Sequence, residues 1–275
     1  MNTDEMIRAV DEILTIVEAA IPANPLSQDN KKLAGKTEEI LAAYFAQIEQ
    51  AFPFTEIERI YSLNVPVTEA GPVGDTEDII EPILKTFRAK LVTDLIGQHV
   101  LAYLAGSAEL VSWGVTKGGR PILYEGPPMQ QAIDYAQKHC ATLVTNMDTE
   151  TKRLIAQTVS DGIKNKRGIP GLARDLRKQF EAMYRTDMPG SRARVIARTE
   201  TADALEQGFM DRSKDMGVTG KEWVVTDPCE ICEGNEAEGV VKINHVFSSG
   251  DLRPPAHPNC RCALAPVMLE EEGER

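Results

Sequence analysis

Cysteine, histidine and aromatic residues are scarce in this chain of 275 residues. It has five cysteines and four histidines, and aromatic residues make up 5% of it. A long hydrophobic run is also missing, because Asp94, His99 and Glu109 interrupt the most apolar stretch, residues 91–115, which argues against a membrane span. The N-terminus carries acids where a signal peptide needs bases. We therefore expect a cytoplasmic protein whose thiols stay reduced.

The common catalytic signatures are missing as well. The sequence has no Walker loop, no G-x-G-x-x-G after a strand and no G-x-S-x-G elbow. Arg198 and Glu200 lie about 200° apart on a helix, so we expect each of them to anchor a different neighbour rather than to form one acid/base site. His99 and His245 are isolated, and we interpret both as structural. We expect no catalytic residue and no enzymatic activity.

Apolar residues at helical spacing predict a mostly α-helical chain. Two Pro- and Gly-rich stretches, residues 64–78 and 115–128, are predicted loops. Asp148 or Thr149 is a candidate N-cap for the fifth helix, and Ser191 is one for the last. Small alanines in the last helix predict a close approach by another segment. The predicted helices are 6–21, 31–51, 77–112, 128–146, 150–166, 170–184 and 192–216.

The pattern becomes β-prone near the C-terminus. Residues 221–226 and 240–247 are predicted strands, and turns are predicted between them at Asp227-Pro228 and Gly234-Asn235. The fold class is therefore α+β, mainly α-helical with a small C-terminal β-hairpin region. We place a domain boundary in the loop 115–128, which gives three parts: a helical N-terminal domain (1–120), a second domain (121–267) and an acidic tail (268–275).

Four of the five cysteines and one histidine form two short motifs. Cys229 and Cys232 have C-x-x-C spacing in a predicted turn, and the stretch PPAHPNCRC supplies His257, Cys260 and Cys262. Soft ligands from two such segments are typical of a closed tetrahedral zinc site, which is structural because no coordination position stays open. We favour Cys229, Cys232, His257 and Cys260 as ligands, with Cys262 as the substitute. A disulfide, or buried thiols without a shared site, are the alternatives.

The net charge of −12 is distributed unevenly. Between Lys152 and Arg198 twelve Lys and Arg residues stand against four acids. This basic segment suggests a surface for a polyanion such as DNA, contacted without sequence preference, or for an acidic partner. The alternative is a solvated helical face that the chain's own acids balance. The candidate contact residues are Lys164, Lys166, Arg167, Arg174, Arg177, Lys178, Arg194 and Arg198.

The motifs occur in a familiar order over residues 125–267. SRARVIARTETADALEQGF is followed by a strand with Trp223, then DPCEICEGNEAEG, then FSSGDLRPPAHPNCRCALAPV. This order resembles the C-terminal domain of the tailed-phage head-morphogenesis family, the Mu F-like minor head or minor capsid proteins. Residues 1–120 resemble no family, and the N-terminal portions of that family are variable.

The resemblance implies a virion protein present in few copies, at the portal vertex inside the head, after assembly in the host cytoplasm. It implies roles in head assembly, genome packaging or ejection, with the portal protein and the major capsid or scaffolding protein as partners. The basic segment would then face packaged DNA. The resemblance brings no established enzymatic activity and no membrane association.

Two other functions fit parts of the sequence. A metal-dependent nuclease built around the Cys/His cluster would need a general-base histidine and an open metal position, but the chain has no H-N-H-type arrangement. A zinc knuckle that binds nucleic acid would need basic or aromatic residues around it, whereas residues 227–240 are strongly acidic.

Overall fold

The computed structural model describes residues 28–62, 73–116, 128–165, 167–185, 187–188 and 190–269. This part of the chain is mostly helical and ends in a small three-stranded antiparallel sheet, so the predicted fold class is confirmed. The predicted helix 6–21 lies outside the described residues, as does most of the acidic tail. The elements are α1 (Gln28–Ala51), α2 (Phe54–Ser62), α3 (Val73–Thr116), α4 (Met129–Lys164), α5 (Ile169–Tyr184), α6 (Arg192–Asp215), β1 (Gly220–Val224), α7 (Glu230–Ala237), β2 (Val240–Lys242) and β3 (Ala263–Val267).

Two of the long helices differ from the predicted ones. Helix α3 begins at Val73, so the predicted loop 64–78 is wrong over its last residues. Helix α4 is continuous, and the predicted break with a cap at Asp148 or Thr149 is wrong. The Thr149 hydroxyl donates to the carbonyl of Thr145 one turn back, and neither Gly nor Pro interrupts this stretch. The Asp148 side chain is buried in tertiary contacts instead of capping a helix.

The last helix also differs in detail. Ser191 immediately precedes α6, but its buried hydroxyl has no hydrogen-bond partner in the part of the chain that the structure describes, so the predicted capping role is wrong. Gly217 ends the segment with a φ of 66°, a left-handed conformation that glycine adopts without strain.

The chain divides into two units that alternate along the sequence. The first unit takes residues up to 37, then 96–137 and 195–275, and the second takes 38–95 and 138–194. Each unit therefore draws residues from both sides of the predicted boundary at 120 and 121. Where independently folding domains begin and end stays a prediction.

The second unit is a helical cluster with buried polar contacts. The Tyr44 hydroxyl donates to Asp148 at 2.5 Å, and the Arg88 guanidinium donates to the other oxygen of the same carboxylate at 2.6 Å. Phe52 of the segment between α1 and α2 packs edge-on against Phe180 of α5, with ring centroids 5.1 Å apart. The hydrogen bonds from Tyr44 and Arg88 compensate the buried Asp148 carboxylate for the water that it no longer contacts.

In the first unit α3 and α6 cross at two glycines. A Cβ placed on Gly106 would lie 1.9 Å from the carbonyl oxygen of Leu205, and one on Gly208 would lie 1.9 Å from that of Tyr103. Ala204 lies in the same contact and is fully buried. The predicted close approach by another segment is therefore confirmed, although the two glycines permit it more than the alanines do.

The C-terminal sheet has the order β2-β1-β3, with β1 antiparallel to both neighbours. Trp223 of β1 is fully buried and meets Phe247 edge-on at 5.0 Å between centroids. Both predicted strands exist but are shorter than expected, and β3 was not predicted. Residues 234–235 lie in helix α7, so their predicted turn is wrong.

None of the helices in the described ranges has the length and apolar content needed to cross a membrane.

Candidate metal centre

The C-x-x-C motif lies at the N-terminus of α7, not in the turn that was predicted. Cys229 is the N-cap residue in an extended conformation, and its carbonyl accepts the first helical hydrogen bond, from the Glu233 amide at 2.9 Å. Cys232 follows in the first turn and is buried, whereas Cys229 is exposed. A helical first turn brings the two sulfurs to the same end of the helix, where free amides point outward.

The proline-rich segment brings the histidine to the same place. Pro254 is buried, the Pro254–Pro255 bond is cis, and the Cys260 amide donates to the carbonyl of His257 at 3.2 Å. Nδ1 of His257 donates to the Pro258 carbonyl at 3.0 Å. This bond fixes the tautomer in which Nε2 has a free lone pair, the form that binds metals.

The sulfur and nitrogen atoms converge. Nε2 of His257 lies 3.2 Å from Sγ of Cys229 and 3.3 Å from Sγ of Cys232, and Sγ of Cys232 lies 3.8 Å from Sγ of Cys260. A tetrahedral zinc ion with Zn–S bonds of about 2.3 Å and a Zn–N bond of about 2.0 Å holds its sulfurs about 3.8 Å apart, and sulfur and nitrogen about 3.5 Å apart. The donor set suits zinc and these three distances are near that spacing, but the donor atoms within 4.8 Å of one another form two triplets rather than one group of four.

Cys262 joins the cluster from the buried side. The donor atoms form two triplets, each within 4.8 Å: Cys229, Cys232 and His257 on the exposed side, and Cys232, Cys260 and Cys262 on the buried side. Cys232 belongs to both triplets. All five cysteines are free thiols, so the disulfide alternative is not found in the structure. Five donors remain candidates for four positions.

The thiols have shifted pKa values with different causes. Backbone amides at the start of α7 lower the pKa of Cys229, whereas burial raises that of Cys232 to about 12. A hydrogen bond with Cys262 and burial raise the pKa of Cys260, and the same bond lowers that of Cys262. A bound cation would offset the burial cost that opposes ionisation of the inner thiols.

Helix α6 holds the proline-rich segment in position. The Thr199 hydroxyl accepts a hydrogen bond from the Asn259 amide at 2.9 Å, and Arg198 donates to the Asn259 side chain at 3.1 Å. Asn259 has a φ of 63°, in the left-handed region that asparagine tolerates better than most residues. Glu200 points elsewhere and lies 3.6 Å from Nε2 of His99 on α3. The prediction that Arg198 and Glu200 anchor different neighbours is confirmed.

Arg253 is a second anchor, which was not predicted from the sequence. Its guanidinium donates to the carboxylate and the carbonyl of Asp203, at 2.8 and 3.1 Å, and to the Gln207 side chain at 2.9 Å. Asp203 and Gln207 are four positions apart and therefore lie on the same side of α6, where one guanidinium can donate hydrogen bonds to both. An arginine directly before the prolines was the available signal, but its partners lie 46 to 50 residues away.

The predicted basic contact residues have mixed surroundings. Arg167 pairs with Asp175 at 3.2 Å, Arg194 with Glu38 at 3.0 Å, and Arg198 is used for the contact with Asn259. Lys166 lies outside the described residues. Exposed positions are occupied by Lys164, Arg167, Arg174, Arg177, Lys178 and Arg198.

Residues 152–265 match a protein family described as Phage Mu protein F like protein. The matched range contains the basic segment, α6, β1, β2, the first three residues of β3 and all five residues of the cluster. The family resemblance stated from the sequence is therefore confirmed over this range. No curated protein and no solved structure matches the chain.

Proposed function

We propose, from the match of residues 152–265 to a family of phage head-morphogenesis proteins, that this chain is a minor head protein of a tailed phage. It acts at the portal vertex inside the head, in assembly and in genome packaging or ejection. Its partners are the portal protein and the major capsid or scaffolding protein. The family match is the single observation that carries this proposal.

The Cys/His cluster supports a structural role rather than a catalytic one. In our proposal Cys229, Cys232, His257 and Cys260 hold one zinc ion, and Cys262 is the substitute ligand. Four protein ligands leave no coordination position for water or substrate, so the ion would serve folding and not hydrolysis. The nuclease alternative needs an open position, and no observation favours it.

Zinc would stabilise a region with little core of its own. Residues 220–269 contain three short strands, one helix of eight residues and long irregular connections. Such a small region buries too little apolar surface to offset its chain entropy, and a metal can supply the missing folding free energy. The ion would join the start of α7 to the segment that α6 anchors, and would thereby fix the shape that a head partner meets.

The exposed bases of the second unit are our candidates for contacts with packaged DNA. Lys164, Arg174 and Lys178 are exposed. Phosphates attract such side chains without regard to sequence. The strongly acidic surroundings of the cluster make α7 unsuitable for this contact, so any DNA would meet the basic segment instead.

Co-purification with heads tests the proposed function. The chain is produced together with the head proteins of a phage that encodes it, heads are isolated on a gradient, and the position of the chain is located by asymmetric cryo-EM reconstruction. We expect it to sediment with heads and to lie at a single vertex. A chain that stays at the top of the gradient, or that is spread over the whole shell, would overturn the proposal.

A pair of variants connects the cluster to this role. Cys229→Ser removes an exposed ligand and should reduce incorporation into heads. Cys140→Ala changes a buried cysteine of α4, far from the cluster in sequence, and should leave incorporation unchanged. Equal loss in both variants would indicate a general folding defect and would remove the support that the cluster gives.

A further inference from the structure

The outer face of α7 is acidic. Glu230, Glu233 and Glu236 follow each other at a spacing of three residues, so they are neighbours on one side of the helix, and all three are exposed. Their side chains have no hydrogen-bond or ion-pair partner among the residues that the structure describes. Like charges at this spacing repel one another. These three glutamates are called the acidic face below.

Exposed apolar side chains accompany these acids. The described ranges contain five large hydrophobic side chains with high exposure, and four of them lie between residues 224 and 246. Ile231 of α7 is 49% exposed, Val240 at the start of β2 is 46% exposed, and Val246 is 53% exposed. Single exposed hydrophobic residues are ordinary, but these four give the segment around α7 exposed apolar side chains in addition to its acids.

Helix α5 has the complementary surface. Arg174, Arg177 and Lys178 lie at positions i, i+3 and i+4 and are exposed, while the opposite side of the helix is buried through residues such as Leu176 and Phe180. The Arg177 guanidinium lies 4.6 Å above the ring of Phe54. Neither Arg174 nor Lys178 has a side-chain partner within the described part of the chain. The three bases are called the basic face below.

We propose that the acidic face of one copy binds the basic face of a second copy of this chain. The charges are complementary, and both faces consist of neighbouring side chains on one side of a helix. Helix α7 has eight residues and α5 has 16, which corresponds to about 12 Å and about 24 Å, so α7 fits along α5 within its length. The contact does not depend on a role in phage heads.

The proposed contact joins two different faces. A contact of this kind is heterologous, so it closes into a ring when the rotation between copies permits and otherwise extends into a chain of copies. Carboxylates and phosphates are alternative ligands for the same bases, so duplex DNA should compete with self-association.

Sedimentation velocity of the full chain tests the contact. At low salt, about 50 mM, the average mass should rise with protein concentration, and at about 500 mM it should return to the monomer, because salt screens the charges. Glu233→Lys with Glu236→Lys should weaken association at least about tenfold, and Arg174→Glu with Lys178→Glu should do the same. An equimolar mixture of these two double variants should associate again, because each supplies the face that the other has reversed.

Matched controls separate this contact from a general effect of charge. Asp134→Lys with Asp161→Lys, and Lys31→Glu with Lys85→Glu, make the same charge changes at positions elsewhere on the chain. These variants should associate as the unchanged chain does, and circular dichroism should show equal helix content in all of them. Three results would each overturn the proposal: a monomer at every concentration in low salt, equal weakening in the scattered controls, or a folded variant mixture that does not associate.

Discussion

The backbone amide of Asn259 donates a 2.9 Å hydrogen bond to the hydroxyl of Thr199. Asn259 lies between the histidine and the first cysteine of the proline-rich segment, and Thr199 lies on α6. This bond therefore connects two of the proposed ligands, His257 and Cys260, to a helix of 24 residues.

The change Thr199→Val should loosen this connection. Valine keeps the shape of threonine but leaves the Asn259 amide without its acceptor, which costs about 1 kcal/mol and up to about 3 kcal/mol if the amide stays dry. We expect faster hydrogen exchange of residues 257–262, measured by mass spectrometry, with little change in α4 and α5. Thr199→Ser keeps the hydroxyl and is the control. Unchanged exchange in the valine variant would contradict the anchoring role of Thr199.

Metal analysis should find about one zinc ion per chain in protein purified without added metal. Cys229→Ser should lower this content and make residues 220–269 sensitive to protease, because the ion contributes to their folding. The helices of the second unit should stay protected. A metal content near zero in the unchanged chain, together with no visible absorption after addition of cobalt, would contradict the prediction.

The absorption spectrum of the cobalt-substituted protein can also show whether Cys260 or Cys262 is the ligand. Cys260→Ala should change the cobalt spectrum more than Cys262→Ala if Cys260 is the ligand, and the reverse result would identify Cys262. Cys140→Ala should leave the spectrum unchanged, since this cysteine lies on α4.

The change Gly208→Ala should destabilise the first unit. Its new methyl group would lie 1.9 Å from the Tyr103 carbonyl oxygen, which is backbone and can move only with α3. Overpacking of this kind costs about 1–3 kcal/mol, more than the gain of up to about 1 kcal/mol from the higher helix propensity of alanine. Gly35→Ala on α1 has no atom within 4 Å of the added methyl group, so urea unfolding should show it unchanged or slightly stabilised. Equal effects of the two changes would contradict the close crossing.

Titration of the Glu109 carboxyl should make the free energy of unfolding depend on pH. Burial raises the pKa of this carboxyl to about 8, whereas an unfolded chain gives about 4.3. The folded protein therefore holds a proton that the unfolded chain has released, and the free energy of unfolding falls as the pH rises from about 4.3 to about 8.

Glu109→Gln should remove that part of the pH dependence. Glutamine keeps an acceptor for the Asn30 amide, which lies 3.4 Å from Oε1 of Glu109. The variant should gain stability relative to the unchanged chain by up to about 1.4 kcal/mol per pH unit across this window, measured by urea unfolding. Glu233→Gln at an exposed position is the control and should give a curve parallel to that of the unchanged chain. A Glu109→Gln curve that is also parallel would contradict the prediction.

DNA binding by the exposed bases should be independent of sequence and should weaken steeply with salt. Replacing Arg174 and Lys178 by Gln should lower the steepness of the salt dependence by about 0.9 for each phosphate that the protein no longer neutralises, as measured by fluorescence anisotropy with duplexes of different sequence. Lys31→Gln with Lys85→Gln is the matched control. A salt-independent affinity, or strong discrimination between duplexes, would exclude this surface as the site that meets DNA.

The helices and the Cys/His cluster could be predicted because local patterns determine them. Apolar residues every three or four positions predicted α1, α5 and α6 to within a few residues, and C-x-x-C spacing indicated the exposed half of the cluster. Helix α7 was missed because it has only eight residues, of which Cys232 and Asn235 alone are buried, so it has no apolar stripe. Strand β3 was missed because ALAPV is short and contains Pro266 at the edge of the sheet.

The features that were not predicted depend on contacts between residues far apart in the sequence. The continuity of α4 depends on Asp148, whose short polar side chain favours a cap in isolation but is held by Tyr44 and Arg88 in the folded protein. The hydrogen bonds of Arg253 to α6 and the crossing of α3 and α6 at Gly106 and Gly208 likewise join residues that are far apart in the sequence. Spacing within a segment contains no information about such partners.

The crossing at Gly106 and Gly208 matters for producing the matched family region, residues 152–265, as a separate protein. Residues 152–265 include α6 but not the half of α3 that lies against it. A truncated polypeptide with only that range would leave a groove lined by glycine and alanine open to water, with nothing to fill it. Recombinant work on the family region should therefore begin upstream of Ile96, at a point that the boundaries of the sequence family do not reveal.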